Sequence, residues 1–528
     1  MVDARDYHER TKHSPRSVRE DSFRMDRTNQ PRPYKVYENL PRHSPSSESR
    51  SPETPALTAV ATADADGSGP DTGDPSIHAL CRHATGTTKE LAVHGRQMQF
   101  RAAACTGKLY HVDLYAVCGN CGEFDPGVYH YDPHEDAFDV LRKGDYRGVL
   151  ANAASEGSSG RSSDGVLAAA SGDHPGVATA PVTVVATSTW WRNAWKYRQR
   201  TYRHAFWDSG TILANLLGVA HGGGHRAEVV LGFDDDPVAE LLGIDPEDEA
   251  PLELIPVGSG AAVREAPAVE TIDPAEKSLS RDPKEYPILH DAWRQSTLDD
   301  GAVATNWRET VRDADGLGTH GPGDGETIEI HPVDEETQSD RPLGETIERR
   351  GSLREYSHEP ISDRKFATVL DRALRGAPTD CSGDVEAGAR APGRLIDCYC
   401  LVHAVDGIDQ GAYQYHPEEN VLERLGDTDR ETAGRLALGQ GVVGDAAVNV
   451  YLMADVDAIV DAVGNRGYRL AQLEGGISLG RLYLATYAHL ALGGRGFTFF
   501  DDEVTQHLLP RSGDQTPMTL FAFGKPEG

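Results

Sequence analysis

The sequence predicts an α+β protein in which two like domains, one in each half of the chain, pack as a pseudo-dimer. A chain of 528 residues is longer than one hydrophobic core usually serves, so two domains are expected. In each half, short β-branched and aromatic segments alternate with segments of helical periodicity, which indicates one sheet with its helices per domain. The halves also resemble each other, and this repeat predicts a pseudo-twofold axis between them.

The repeat is clearest where residues 127–133, Gly-Val-Tyr-His-Tyr-Asp-Pro, return as residues 411–417, Gly-Ala-Tyr-Gln-Tyr-His-Pro. Aromatic residues at alternate positions before a turn predict the second strand of a hairpin in both places. The other paired segments follow in one order: 182–186 with 448–454, Tyr202-Arg203 with Tyr468-Arg469, 233–235 with 500–502, and 251–258 with 517–524. A tandem duplication accounts for this order.

Changes in composition predict the domain boundaries. Residues 1–78 form an N-terminal arm and a flexible linker, 79–258 the first domain, 259–345 an acidic linker and 346–528 the second domain. Within the first domain, residues 151–179 are mainly Gly, Ser, Ala and Asp, which predicts a mobile insertion with little to bury. The remaining first-domain elements are predicted strands over 109–117, 182–186, 229–233 and 252–257, and a helix over 202–220.

The charge balance excludes some classes of partner. The formal net charge is -31 at pH 7, from 83 acidic and 52 basic residues. Such a surface is typical of a salt-adapted, halophilic protein, and it repels nucleic-acid phosphates and anionic lipid, so neither nucleic acid nor a membrane surface is an expected partner. The sequence holds no apolar run of membrane-spanning length and no secretory signal at its charged N-terminus, which predicts a cytoplasmic protein.

The seven cysteines predict neither a disulfide framework nor a metal centre. Cys118 and Cys121 stand in a Cys-x-x-Cys pattern, but no second pair of Cys or His at ligand spacing accompanies them. Packing in a loop explains this pair without a metal.

The segment 348–356, Glu-Arg-Arg-Gly-Ser-Leu-Arg-Glu-Tyr, contains the clearest ligand-binding pattern. Arg350, Ser352 and Arg354 alternate, so two guanidinium groups and a hydroxyl can converge on a phosphate monoester. A solvated, charged surface explains the same residues without a ligand. Gly493-Gly494-Arg495-Gly496 is a second candidate for a phosphate-facing loop, or simply a turn between a helix and a strand.

Together these motifs resemble the nitroreductase-like FMN flavoproteins, and most closely their thiazoline/oxazoline dehydrogenase branch (SagB-type), in a tandem two-domain form. The motifs lie at residues 101–114, 127–133, 195–210, 233–245, 349–356 and 473–476. The resemblance implies a nitroreductase-like α/β sandwich fold for both halves.

The resemblance also implies an FMN site that draws on both halves, as it draws on two subunits in the family. Arg350, Ser352 and Arg354 match the phosphate motif. Glu474 and Gly475 match a turn that presents backbone N–H groups near flavin N5. Gly476, which aligns with Gly210, either lets backbone approach a flat ring or packs one helix on another.

The first half supplies the loop that, in the family, covers the flavin ring from the other subunit. Ala104, Cys105 and Thr106 match this loop, with Ala and Cys in place of the family's Pro and Ser. The second half's counterpart, residues 389–393, has lost the Ser, and no Arg-x-Ser-x-Arg precedes the first domain's first strand. One composite site per chain is therefore expected.

The resemblance further implies that Lys196 and Tyr197 act in proton abstraction, because a Lys-Tyr pair does so in azoline dehydrogenases. A desolvated lysine has a lowered pKa and can serve as a base. Alternatively, Lys196 is an exposed residue at a turn and Tyr197 packs on the core.

Three functions follow from these observations. The first is an FMN-dependent dehydrogenase that transfers hydride from a substrate carbon to flavin N5, with an azoline in a modified peptide as the implied substrate and a maturation-complex protein as an implied partner. The second is an NAD(P)H-dependent reductase of small electrophiles such as nitro compounds. The third is a flavin-binding scaffold of a peptide-maturation complex that does no chemistry.

Overall fold

The computed structural model describes residues 2–46, 51–62, 73–93, 96–155, 175–263, 266–314, 317, 321–382 and 395–528. Its helices are α1 (Ala4–Thr11), α2 (Pro15–Glu20), α3 (Ala56–Ala61), α4 (Ile77–Thr85), α5 (Arg147–Ala154), α6 (Pro175–Thr179), α7 (Trp190–Tyr197), α8 (Thr201–Gly222), α9 (Asp235–Leu242), α10 (Pro287–Arg294), α11 (Gly301–Asp313), α12 (Leu343–Arg349), α13 (Asp363–Ala373), α14 (Arg430–Leu436), α15 (Gly441–Asp445), α16 (Val456–Ala488) and α17 (Asp501–His507).

The strands are β1 (Arg42–His43), β2 (Thr87–Val93), β3 (Arg96–Arg101), β4 (Val112–Cys118), β5 (Gly127–Asp132), β6 (Ala137–Lys143), β7 (Val182–Thr189), β8 (Glu249–Val257), β9 (Thr327–Glu329), β10 (Asp397–Val402), β11 (Gly411–His416), β12 (Val421–Gly426), β13 (Val448–Ala454), β14 (Gly493–Phe497) and β15 (Thr516–Gly524).

The two large antiparallel sheets have the same order over six strands, and the second sheet has β14 as an additional edge strand. The first sheet runs β1-β6-β5-β4-β7-β8, and the second runs β9-β12-β11-β10-β13-β15-β14. The hairpin strand β5 therefore occupies the position of β11, as the repeat of residues 127–133 at 411–417 predicts. With helices packed on both sheets, this is the predicted α+β fold with two like halves.

The largest hydrophobic core spans both halves, and smaller buried clusters lie mainly within one half each. Its buried side chains come from the long helices α8 and α16, including Leu213, Leu216, Leu473 and Leu482. The helices cross where Gly210 faces Gly476. A methyl group built on Gly476 would stand 2.4 Å from the carbonyl oxygen of Phe206, and one on Gly210 would stand 2.4 Å from the carbonyl carbon of Gly476. Only glycine permits this approach, so the helix-packing explanation of Gly476 holds in this structure.

Two predicted flexible segments contain packed structure. The linker before residue 78 includes α3, whose Leu57 and Val60 are buried against the shared core, because an apolar helix between α8 and α16 excludes water. Both ends of the insertion predicted over 151–179 are helical, because Ala151, Ala153 and Ala154 are buried on α5 and residues 175–179 form α6. Residues 156–174, most of that predicted insertion, lie outside the described residues.

Two further predictions differ from the structure. Residues 229–233 form no regular strand; Val230 makes an isolated bridge to Leu254, and Val229 makes one to Thr379 of the second half. The predicted acidic linker over 259–345 contains α10 and α11, and its β9 joins the edge of the second sheet. Along the described residues, every helix is too short or too polar to cross a membrane.

Candidate functional site

The segment after α12 lies along β14 in the second half. Leu353 N–H donates to the carbonyl oxygen of Gly494 at 3.2 Å, and a methyl group on Gly493 would stand 3.1 Å from the Leu353 side chain. Because Gly493, Gly494 and Gly496 have no side chains, the Arg-x-Ser-x-Arg segment can pack closely against β14. Arg495 also lies on this strand.

Arg350 connects this segment to the first half. Its Nε donates to the carbonyl oxygen of Ala102 and its Nη2 to that of Arg101, both at 2.8 Å. The guanidinium also lies over the ring of Tyr483, 5.6 Å from the centroid. Arg350 is therefore engaged with the backbone at the start of the first half's loop, while Ser352 and Arg354 are exposed.

The loop that follows β3 is held in place by Asp208 of α8. Thr106 donates to one carboxylate oxygen from its backbone N–H at 2.9 Å and from its hydroxyl at 2.7 Å. The Cys105 thiol donates to the other oxygen at 3.1 Å. The carbonyl oxygen of Ala104 accepts from the Thr211 hydroxyl at 2.7 Å. The predicted ring-covering loop is thus fixed to a rigid helix.

The same loop contacts the predicted catalytic pair through Gly107. A methyl group on Gly107, whose φ is +65°, would stand 2.7 Å from Tyr197 Oη and 3.3 Å from Lys196 Nζ. Lys196 Nζ lies over the Tyr197 ring at 4.7 Å from the centroid. Both residues end α7, where Lys196 is half-buried. The structure therefore brings Lys196 and Tyr197 together with the loop.

Burial and charge shift the pKa values of both groups. The pKa of Lys196 is lowered, first by burial and then by the positive charges of Arg495 and Lys108. Burial, followed by the charge of Asp208, raises the pKa of Tyr197. Lys196 is thus more readily deprotonated than an ordinary lysine, and Tyr197 remains a hydroxyl donor.

Four cations from the two halves gather at this place: Lys108, Lys196, Arg354 and Arg495. Burial, followed by the charges of Arg354 and Arg495, lowers the pKa of Lys108, and Lys196 is affected in turn by Arg495 and Lys108, so each of the two lysines lies within electrostatic range of two of the other cations. Among the described residues, no carboxylate pairs with any of them. In a chain with 83 acidic residues, unpaired cations from both halves form a site suited to an anion such as a phosphate.

Glu474, Gly475 and Gly476 lie elsewhere, and the predicted turn is wrong. All three are inside α16, so their backbone N–H groups are in the helical part of the chain. Gly475 packs against Met518 of β15, where a methyl group would stand 3.0 Å from Met518 Cβ. Glu474 lines a small cavity of the second half together with Leu374, Gly376, Ile396, Cys398, Pro417 and Ser478.

The repeat explains what Glu474 does. Its carboxylate accepts from the backbone N–H of Leu395 at 2.9 Å, just before β10. Asp208 accepts from Thr106 just before β4, and each carboxylate stands two residues before the glycine of the helix crossing. Glu474 is thus the second half's loop anchor, equivalent to Asp208.

Lys108, His111 and Asp208 were not among the site residues predicted from the sequence. Lys108 follows the matched loop directly, and the alignment of Tyr202 with Tyr468 already places Asp208 opposite Glu474. The sequence therefore contained a signal for Lys108 and another for Asp208. Cys118 and Cys121, in contrast, donate to the carbonyl oxygens of Asp125 and Pro75, in agreement with a packing role.

The first half of the chain is similar to a known family. Residues 81–259 match the model of the nitroreductase family, and the rest of the 528 residues lies outside this match. The matched residues include the loop, Lys196, Tyr197 and Asp208.

Two proteins named as putative nitroreductases are similar to the chain. The one from Methanocaldococcus jannaschii is 29% identical over 210 residues, which is 38% of this chain and 98% of that protein. The crystal structure of the one from Anabaena variabilis covers 99% of both chains with a TM-score of 0.74 at 22% identity. The second similarity shows that the fold of the whole chain, including both sheets, is one already known.

Proposed function

We propose that the chain is an FMN-dependent oxidoreductase that removes hydride from a substrate carbon. The observation that carries the proposal is the meeting of Lys108 and Lys196 from the first half with Arg354 and Arg495 from the second, beside the loop fixed by Asp208. The match of residues 81–259 to the nitroreductase family supports an oxidoreductase.

The donor set at this meeting point fits the cofactor. Arg354, Arg495 and Lys108 would bind the FMN phosphate, with the exposed hydroxyl of Ser352 as a further donor. Arg350 would keep the loop 102–106 closed over the site through its bonds to Arg101 and Ala102. FMN, when bound, supplies an acceptor for the hydride and its two electrons.

Lys196 is proposed as the base for the substrate proton. Oxidation of a C–H bond next to an N–H or C–H group releases a hydride and a proton, and the proton needs an acceptor close by. Burial, followed by the charges of Arg495 and Lys108, lowers the pKa of Lys196, so a larger fraction of Lys196 is neutral than of an ordinary lysine. Tyr197 lies within contact of Lys196 and would orient the amine or donate to the substrate.

The substrate class follows from the SagB-type motifs. We propose a thiazoline or oxazoline in a modified peptide, oxidised to the azole, with a peptide-maturation protein as partner. The similar proteins are named as nitroreductases, which favours a second candidate, an NAD(P)H-dependent reductase of small electrophiles.

One experiment separates these candidates. The purified full chain is reconstituted with FMN, and flavin bleaching is followed by stopped flow after anaerobic mixing with a thiazoline-containing peptide or with NADPH. Bleaching by the azoline with formation of the azole supports the dehydrogenase. Bleaching by NADPH alone supports the reductase. Stoichiometric flavin with no bleaching by either compound would contradict both and leave the scaffold.

A further inference from the structure

A cluster of three potential metal ligands lies behind the loop, between β4 and α8. The side chains are Cys105, His111 and Asp208, and their ligand atoms all lie within 4.8 Å of one another. Asp208 Oδ2 is 3.1 Å from Cys105 Sγ and 2.9 Å from His111 Nε2. A tetrahedral zinc ion spaces sulfur and oxygen ligands about 3.5 Å apart, so a displacement of roughly half an ångström would admit the ion.

Each of the three side chains also has a partner that holds it in a ligating orientation. The Tyr110 backbone N–H donates to Cys105 Sγ at 3.1 Å, and His111 Nδ1 contacts the Ser188 hydroxyl at 2.8 Å, which leaves Nε2 to face the cluster. Thr106 donates twice to the other oxygen of Asp208. In metal centres, neighbouring groups typically hydrogen-bond to the ligand side chains and fix their orientation. The bonds to the sulfur, to the second imidazole nitrogen and to the carboxylate are of this kind.

The buried charge of Asp208 is independent evidence for a bound cation. Asp208 is only 4% exposed, and no lysine or arginine of the described residues forms an ion pair with it. Buried carboxylates are normally paired with a cation or coordinate a metal. Its single ion-pair candidate is His111, which would have to be protonated.

We propose that Cys105, His111 and Asp208 bind one Zn²⁺ ion that locks the loop 104–106 onto α8. On binding, the Cys105 thiol releases its proton to solvent and forms a sulfur–zinc bond, so thiolate, carboxylate and Zn²⁺ together carry no net charge. Mixed S, N and O ligands suit zinc, and three protein ligands leave the fourth position to water. A small cavity borders Cys105 and Asp208, and Arg101 and Tyr110 also line it.

This site does not depend on the proposed oxidoreductase function. Cys105 belongs to the loop that would cover the flavin and Asp208 holds that loop, but none of the three ligands is a proposed phosphate ligand or base, and metal binding is measured without flavin. Zinc binding and flavin chemistry can therefore fail separately.

The test uses the untagged full chain, stripped with a chelator and titrated anaerobically with Co²⁺ and then with Zn²⁺. Wild type is expected to develop a thiolate-to-cobalt charge-transfer band that saturates at one ion per chain and is abolished by one equivalent of Zn²⁺. Cys105→Ser keeps a hydroxyl that can donate to Asp208, so the loop remains hydrogen-bonded, but the band is expected to disappear. Cys121→Ser removes a thiol outside the cluster and should retain the band.

Thermal unfolding provides an independent measurement. Zinc should raise the unfolding midpoint of wild type and of Cys121→Ser, and leave that of Cys105→Ser unchanged. Absence of the cobalt band in folded wild type, or an equal band in Cys105→Ser, would overturn the proposal.

Discussion

Arg350 donates a 2.8 Å hydrogen bond to the carbonyl oxygen of Ala102, across 248 positions of sequence. This bond joins the segment that was expected to bind a phosphate to the loop that was expected to cover a flavin ring. The two motif arginines consequently differ in role, since Arg350 joins the two halves and Arg354 remains exposed for a ligand. This difference can be measured.

Arg354→Ala is expected to weaken FMN binding by about 1.5–3 kcal/mol, the scale of a hydrogen bond to a charged group, without changing the unfolding midpoint. Arg350→Ala should weaken FMN binding and also destabilise the protein, because two backbone carbonyl oxygens lose their donors. Flavin fluorescence titration and thermal unfolding measure the two effects.

Riboflavin, which lacks the phosphate, is the control for this pair. Its affinity should be unchanged in Arg354→Ala, and Arg364→Ala, an exposed arginine on α13, should bind both flavins normally. Equal losses for FMN and riboflavin in Arg354→Ala would contradict a phosphate role for Arg354.

The stoichiometry of flavin follows from the asymmetry of the halves. The first half contributes the loop with Lys108, and the second half contributes Arg354 and Arg495. The sequence repeat does not supply a second loop together with a second pair of arginines. One FMN per chain is expected on release by denaturation and absorbance. A value of two would show that the second half's cavity around Glu474 also binds flavin.

The crossing of the long helices makes a strong stability prediction. Gly476→Ala places a methyl group 2.4 Å from the Phe206 carbonyl oxygen and 2.9 Å from Trp207 Cα, so α8 and α16 must separate. We expect a loss of about 1–3 kcal/mol or more in the free energy of unfolding, measured by chemical denaturation. Gly441→Ala, with no atom within 4 Å of the new methyl group, should have little effect; equal losses would contradict the packing role of Gly476.

Stability should also depend on pH through Glu253 of β8. Its Oε2 accepts from the Ser209 hydroxyl at 2.8 Å, and its Oε1 is buried without a partner among the described residues. Burial raises the pKa of Glu253 to about 8. Because the folded pKa lies above the unfolded one, the stability that the protonated group provides is complete near pH 4 and is lost as pH rises through 8.

Glu253→Gln should therefore be more stable than wild type at pH 9, by on the order of 1–3 kcal/mol, and nearly equal to it at pH 5. Urea denaturation at the two pH values measures this difference. Glu240→Gln, at an exposed position of α9, should show no such dependence. A constant difference between Glu253→Gln and wild type across the pH range would show that Glu253 does not titrate on unfolding.

The sequence predicted the parts of the molecule that depend on local pattern and on the repeat. The alternating aromatic residues of 127–133 and 411–417 became equivalent strands, and the aligned tyrosines 202 and 468 lie on the two crossing helices. The turn at Glu474 was wrong because a Glu-Gly pair is compatible with both a turn and a helix. Gly476 packs closely against the backbone of α8. This contact depends on the tertiary arrangement of the two helices, so the local sequence around Glu474 does not reveal it.

The cation cluster could not be predicted as a unit. Lys108 and Lys196 are distant in sequence from Arg354 and Arg495, and no periodicity connects them. They meet because α8 and α16 cross and Arg350 closes the loop onto the second half. In the sequence, each of these residues resembles an ordinary surface charge. What distinguishes the cluster from a charged surface is that the four cations lie together and none is paired with a carboxylate among the described residues.

Lys196 and Tyr197 separate the two enzymatic candidates, because only a dehydrogenase needs a base at this place. Lys196→Ala should slow flavin reduction by an azoline about 10²–10⁴-fold, the usual effect of losing a general base. Wild-type reduction should accelerate as pH rises and reach a plateau at a midpoint below the ordinary lysine pKa, since burial and Arg495 lower the pKa of Lys196. Lys196→Ala should lose that titration. Tyr197→Phe should slow reduction less and keep it.

Reoxidation by an artificial acceptor is the second half-reaction, and it requires no proton transfer to Lys196. It should remain unchanged in both variants when FMN is saturating. Lys108→Ala removes a neighbouring cation of the same cluster and should lower FMN affinity while preserving the rate of reduction at saturation. Equal losses in both half-reactions of Lys196→Ala would indicate structural damage. An unchanged reduction rate in that variant would remove Lys196 from the chemistry and favour the reductase.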